Sequence, residues 1–261
     1  MNIASPGSFS RRRVLSGAAC ALPLAVVLKD PRLAKAAADS LETVSLTTAG
    51  GRNVTAALAL PETATAPAVL LVHEWWGLND QIKAVAADFA QQGYAALAID
   101  LYGGQVADTA DQAKALMGAV DGAAATDTLA SWAGWLKTHQ RSTGKVGTVG
   151  WCFGGGWSLN TALATPVDGC VVYYGRVNKT AAELAPLACP VLGHFATQDQ
   201  FINQAMVDGF LAAAKAAGKE VTAYWYEADH AFANPTGARY DAEDAALAWQ
   251  RTQDFLTQRL G

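Results

Sequence analysis

The stretch KVGTVGWCFGGGW, Lys145 to Trp157, decides the fold. An apolar run leads straight into glycines with one cysteine at the bend, and a helical pattern follows. A strand that turns directly into a helix through G-x-C-x-G forces its middle residue into a sparsely allowed backbone conformation, with the side chain standing free above the sheet. Gly150 and Gly154 lack the Cβ atoms that would collide across so sharp a turn, and Gly155 and Gly156 let the helix pack closely. Cys152 therefore stands at the positive end of a helix beginning near Phe153, where the dipole favours a thiolate. Neither G-x-G-x-x-G nor G-x-x-x-x-G-K-[ST] fits this stretch, which argues against a phosphate loop.

Working outward, the same texture recurs. Solid apolar runs stand at AVLLVH (68–73), YAALAID (94–100), KVGTVG (145–150), GCVVYYG (169–175), PVLGHFA (190–196) and VTAYWYE (221–227). Helical patterns lie between and after them at 80–92, 109–140 in two pieces, 154–165, 203–217 and 239–258. Continuous apolar strands alternating with helices predict a parallel sheet covered on both faces. Before them, TVSLTT and NVTAALAL flank Gly50-Gly51 and read as an antiparallel hairpin. The expected fold is α/β: a doubly wound, mostly parallel sheet of about eight strands with an antiparallel N-terminal hairpin, in a single domain over residues 37–261.

In such sheets ligands bind beyond the carboxyl ends of the strands. The residues there are His73-Glu74, Asp100-Leu101-Tyr102, Cys152, Asp199 and His230. A thiol nucleophile needs a base and an orienting acid, and behind a nucleophile elbow these follow in chain order, acid then histidine. Asp199 in HFATQDQFI and His230 in YEADHAFAN arrive in that order. His139 ends a polar helix, His194 lies within a strand and reads as a core residue, and His73 precedes the acid, which leaves His230 as the base. Asp229 and Glu227 are rival acids, but as chain neighbours of His230 they are badly placed to reach its Nδ1.

Taken together, GWCFGG, LVHEWWGLND, GYAALAIDLYGG, TQDQF and YEADHAFAN resemble the dienelactone hydrolases (carboxymethylenebutenolidases), a family of α/β-hydrolases, over about Leu41 to Leu260. The resemblance implies a hydrolase that opens esters or lactones through a cysteine nucleophile and a thioester acyl-enzyme, with a Cys152–His230–Asp199 triad and no metal or organic cofactor. It implies that Glu74 is linked to the resting thiol and helps govern when it ionises. It also implies an oxyanion hole formed by the backbone N–H groups of Trp75 and Phe153.

The family's pattern is broken at two places. Two arginines that hold a substrate carboxylate, one shortly after the D-L-Y segment and one four residues after the catalytic histidine, correspond here to Gly104 and Asn234. Arg176 and Arg239 lie in neighbouring loops and are the available substitutes. Trp76, Tyr102, Trp151 and Phe232 are expected to line the pocket with Gly104 and Asn234, which points to a bulkier, less anionic substrate. A catalytically silent protein of the same fold that binds a small ligand is the alternative reading, and a thiol-based redox role lacks a resolving cysteine near Cys152 in sequence.

The N-terminal end reads differently. Three arginines (11–13) precede a weakly apolar run from Val14 to Leu28, and Ala34-Lys35-Ala36 forms an A-x-A-type cleavage site. Residues 1–36 are expected to be a twin-arginine-type export signal, sending the protein to the periplasm or outside the cell without stable membrane insertion once the signal is removed. That removal takes away six basic residues and one acidic residue, leaving 13 basic against 22 acidic, a net charge of −9. So negative a surface repels phosphate backbones and excludes nucleic acid as a partner. Cys152, Cys170 and Cys189 remain, an odd number; the latter two read as small buried hydrophobes. A monomer acting on a small-molecule ester or lactone is expected.

Overall fold

The computed structural model describes residues 22–261. In chain order the strands are β1 (Glu42–Thr47), β2 (Asn53–Ala59), β3 (Ala66–Val72), β4 (Ala95–Ile99), β5 (Ser142–Trp151), β6 (Gly169–Tyr173), β7 (Val191–Ala196) and β8 (Val221–Tyr226). The helices are α1 (Leu24–Lys29), α2 (Pro31–Ala38), α3 (Asp80–Gln91), α4 (Ala110–Gly118), α5 (Gly122–Thr138), α6 (Phe153–Ala164), α7 (Ala181–Leu184), α8 (Gln204–Ala216) and α9 (Ala242–Leu260).

The eight strands form one sheet in the order β1-β2-β4-β3-β5-β6-β7-β8. From β4 to β8 every neighbouring pair is parallel. The β1–β2 hairpin joins this array through an antiparallel β2–β4 pairing that aligns Ala56 with Ile99 and Ala59 with Ala96. The solid apolar runs are explained by what covers them. One face of the sheet packs on α5, α6 and α8, with Trp132, Leu159 and Phe210 in the core. The other packs on α3 and α9, with Val85, Phe89 and Leu256. Each fully buried Leu or Phe contributes about 1.5–3 kcal/mol relative to an exposed one.

Capping residues fix where the helices start. Asn79 Oδ1 accepts the Ile82 N–H at 3.1 Å, and Thr109 forms a capping box with Gln112. The last helix begins at Ala242 rather than 239 because the Asp241 carboxylate accepts from the N–H groups of Glu243 and Asp244. The apolar stretch at 169–175 leaves the sheet at Tyr173, two residues early, since Tyr174 turns to φ 37°. The short α7, nucleated by a Thr180–Glu183 capping box, was not apparent from periodicity, being a single turn.

Residues 1–21 of the expected export signal, including Arg11, Arg12 and Arg13, lie outside the described residues. Its later part is described. Helices α1 and α2 pack against α3, burying Leu28 and Ala34 in the α3–α9 layer, and Lys29 Nζ sits 4.7 Å from the Tyr240 ring centroid. Among the described residues no helix is long and apolar enough to cross a membrane.

The sheet order sets the site. From β3 the chain passes to β4 on one side and then returns to β5 on the other, which opens a crevice at the carboxyl ends of β3 and β5. The registers Val72↔Gly150 and Trp151↔Tyr173 bring the ends of β3, β5 and β6 level, so that Glu74, Cys152 and Tyr174 emerge together.

Candidate active site

Cys152 has φ 53° and ψ −116°, the left-handed bend expected of an elbow, and is the N-cap of α6. A Cβ on Gly150 would fall on the Gly154 carbonyl, and one on Gly155 would stand 2.7 Å from the Tyr173 carbonyl oxygen, so glycine is required where β5 turns into α6. The bend is held by the Cys152 N–H, which donates to the Tyr173 carbonyl at 3.0 Å. Among the described residues two further non-glycine residues take positive φ, Tyr174 at 37° and Ala231 at 66°, and both flank the same mouth. Strain of this kind, about 1–3 kcal/mol per residue, persists where surrounding structure imposes it.

The three residues expected to act together are brought together. His230 Nε2 lies 3.1 Å from Cys152 Sγ, and His230 Nδ1 lies 2.6 Å from Asp199 Oδ2. The other carboxylate oxygen of Asp199 accepts the N–H groups of Phe201 at 2.7 Å and Ile202 at 2.9 Å. Burial works to raise the Asp199 carboxyl, but the bonds from His230, Ile202 and Phe201 outweigh it and hold the group below the ordinary aspartate range. Asp229 is turned away from the ring. It accepts the backbone N–H of His230 at 2.6 Å and stands 3.9 Å from Arg239. Glu227 is exposed.

His139 caps the C-terminal end of α5 against Trp135, and the other two remaining histidines are buried. His73 is wholly buried between the Glu74 carbonyl, 2.5 Å from Nδ1, and the Leu101 N–H on Nε2. His194 bonds Tyr226 and Thr252 within the core, and burial lowers it to about 3. Neither faces the thiol.

Glu74 is buried beside the thiol. Asn234 Nδ2 donates to its Oε2 at 2.6 Å and the Tyr174 hydroxyl to its Oε1 at 3.4 Å. Burial raises the Glu74 carboxyl above its usual range, against these two bonds and the charges of His230 and Arg239. The Cys152 thiol is pushed up to about 12, by burial first and then by the Glu74 charge, while the Phe153 N–H works the other way. The resting thiol is therefore protonated. Removing the Glu74 charge should lower the thiol, so alkylation of Glu74→Gln by iodoacetamide is expected to rise at lower pH than in the parent protein. Superimposable rate–pH profiles would show that Glu74 exerts no hold on the thiol.

The Phe153 N–H is directed at the thiol, and the Trp75 N–H donates to no backbone acceptor among the described residues. The residues expected in the pocket divide into separate groups. Tyr102 packs its ring against His73 and Phe153 and donates its hydroxyl to the Trp75 carbonyl at 3.2 Å; Trp76 is half-buried against Trp75. Gly104, at φ 87°, directs its N–H to Asp100. Trp151 lies on the other side of the sheet end, stacked on Tyr173. Asn234 is spent on Glu74, supported in turn by Gln81 and Thr236. Phe232 corrects the expectation: it is wholly buried between the Tyr174 and Tyr226 rings and belongs to the core.

Two residues at the mouth were not anticipated. Tyr174 bonds Glu74 and sets its ring 5.2 Å from His230. Phe201, 65% exposed, holds an apolar ring 5.4 Å from the same imidazole. A large exposed phenylalanine two residues after Asp199 is the signal that marks it. Among the described residues, no three His, Cys, Asp or Glu side chains converge in a way that could hold a metal ion.

Residues 54–260 match the model of the dienelactone hydrolase family. The carboxymethylenebutenolidase of Pseudomonas putida is 32% identical over 230 residues, covering 82% of this chain and 95% of that protein. Protein usf of Aquifex pyrophilus is 32% identical over 211 residues, covering 74% and 89%. Among solved structures, a Klebsiella pneumoniae protein assigned as a dienelactone hydrolase superposes with a TM-score of 0.74 at 28% identity, over 84% of this chain and 99% of that one.

Proposed function

The chain belongs to the dienelactone hydrolase family and is a hydrolase acting on esters or lactones, and from that premise we propose that it works through Cys152 as nucleophile on neutral substrates. The observation that carries the reading is the unbroken line from Cys152 Sγ to His230 at 3.1 Å and from His230 to Asp199 at 2.6 Å, at a strained elbow. As Sγ attacks the carbonyl carbon, its proton passes to His230 Nε2, and the carbonyl oxygen becomes an oxyanion received by the Phe153 and Trp75 N–H groups. Collapse of the tetrahedral species breaks the C–O bond, His230 protonates the departing oxygen, and a thioester remains. Water deprotonated by His230 then attacks the thioester and releases the acid, and the thiol recovers its proton. Asp199 holds Nδ1–H throughout. Stoichiometric alkylation of Cys152 should abolish turnover of p-nitrophenyl acetate; full turnover by the alkylated protein would rule the thiol out.

Substrate charge follows from what stands at the two arginine positions. Gly104 has no side chain and Asn234 is committed to Glu74. Arg176 is exposed, and Arg239 is half-exposed beside Asp229. Each bidentate contact to a carboxylate is worth about 1.5–3 kcal/mol per bond, so an anionic lactone recovers little of its lost hydration here. A neutral methyl ester is expected to exceed the matched free acid in kcat/KM by about 10–100-fold. A preference for the acid would mean that Arg239 or another cation serves as the clamp, and the pocket argument falls.

Export belongs to the same reading. Replacing Arg11 and Arg12 together by Lys should strand the precursor in the cytoplasm, because ordinary secretion needs positive charge alone. Unimpaired export of that variant, followed by cell fractionation, would reject a twin-arginine route.

A further inference from the structure

Behind Glu74, on the side away from Cys152, the structure holds a cavity of about 590 Å³ between α3, α9 and α1. Cys152, His230 and Phe153 take no part in its walls. Its floor is aromatic, made by Trp151, Tyr173 and Tyr174 at the ends of β5 and β6. Val85 of α3, Trp249 of α9, and Leu24 and Leu28 of α1 supply its apolar walls. At the inner end the surface turns polar, where Glu74, Asn234 and Gln81 meet.

We propose that this cavity is a second binding site, for a small neutral amphiphile such as an aromatic or branched aliphatic alcohol, with its hydroxyl at the Glu74–Asn234 end and its apolar body against Val85 and Trp249. The size suits such a molecule, and mostly apolar walls with a few convergent polar groups are the usual form of a small-ligand site. Charge selects the class. No lysine or arginine lines the cavity, and carboxyl groups stand at both its inner and outer ends, Glu74 and Asp88, so an anion finds only repulsion. Against a cation, both carboxylates already have donors within the protein, Glu74 from Asn234 and Tyr174 and Asp88 from Gln92. A hydroxyl can both donate to Glu74 and accept from the Asn234–Gln81 amides. The site is distinct from the catalytic mouth, yet Glu74 borders both. Its α1 wall lies in the stretch expected to be removed at export, so processing at Ala36 would open the cavity along that side.

The test uses 2-naphthol, a neutral aromatic alcohol that the hydrolase cannot cleave, titrated into the full chain and followed by calorimetry. Saturable binding is expected, unchanged when Cys152 is carbamidomethylated. Ala245→Phe, which fills the cavity from α9, should weaken it at least tenfold while p-nitrophenyl acetate turnover stays within twofold. Leu24→Asp, on the peripheral α1, places a charge in the apolar wall and should weaken binding at least fivefold, which keeps the test decisive if Ala245→Phe fails to fold. A chain begun at Ala37 should also bind more weakly. Binding abolished by carbamidomethylation, indifferent to both substitutions, or absent from the parent chain would overturn the proposal. Loss of esterase activity on Cys152 alkylation is read separately and bears only on the catalytic reading.

Discussion

Cys152→Ala and His230→Ala are each expected to lower kcat for a neutral ester by at least about 10⁴-fold, with the double variant little worse than either. In the proposed mechanism the thiol supplies the bond-forming sulfur, and no other described cysteine can stand in, since Cys170 and Cys189 are buried in the core. The imidazole is equally indispensable to that mechanism. With burial and Glu74 pushing the thiol up to about 12, almost no thiolate exists at neutral pH unless a base takes the proton during attack. Cys152 is half-buried at the mouth and makes no structural contact that alanine would lose, so Cys152→Ala should melt within a few degrees of the parent. His230 is buried and bonds Asp199, so His230→Ala should melt lower while remaining folded, since it leaves that carboxylate without its ring partner. Steady-state kinetics beside thermal melts checks the pair, and near-parental turnover by His230→Ala would remove the base from the account.

Asp199→Asn is expected to cost about 10³–10⁴-fold in kcat, the range seen when an orienting carboxylate becomes an amide. The geometry gives the reason. Oδ1 of Asp199 accepts two backbone N–H groups, from Phe201 and Ile202, so an asparagine here must keep its oxygen on that side. Its NH₂ then faces His230 Nδ1, which is obliged to accept, leaving the ring proton on Nε2. An imidazole in that tautomer cannot take the thiol proton. Asp229→Asn is the control, because Asp229 contacts the backbone of His230 and not its ring; turnover within about threefold is expected on the scale of surface substitutions. The opposite ordering of the two variants would transfer the acid's role to Asp229.

Much of this was legible in the chain. Five-to-seven-residue apolar runs punctuated by helices have few other readings, because only strands buried on both faces dispense with alternation. The elbow was legible for a steric reason, as glycines around a lone cysteine mark a turn that no Cβ permits. Cys152, Asp199 and His230 followed from strand ends and chain order, and they fall within hydrogen-bond reach of one another. What sequence could not carry was the direction of side chains off irregular backbone. Tyr174 reads as part of a strand, yet φ 37° turns it onto Glu74. Phe232, two residues past His230, reads as pocket lining, but the turn at Ala231 drives it into the core. Asn234 shows a missing arginine, while its bond to Glu74 spans 160 positions and leaves no local trace. The docking of α1 and α2 was hidden by a signal-like composition, since the same alanines that suit a cleavage site also suit a close-packed helix face.

The most direct test of the central claim is the mass of the protein quenched in acid during turnover of p-nitrophenyl acetate. The account predicts an added acetyl group carried by the peptide containing Cys152, labile to hydroxylamine as a thioester is, and absent from Cys152→Ala. Rapid turnover with the adduct on another residue, or an adduct that persists in Cys152→Ala, would contradict it.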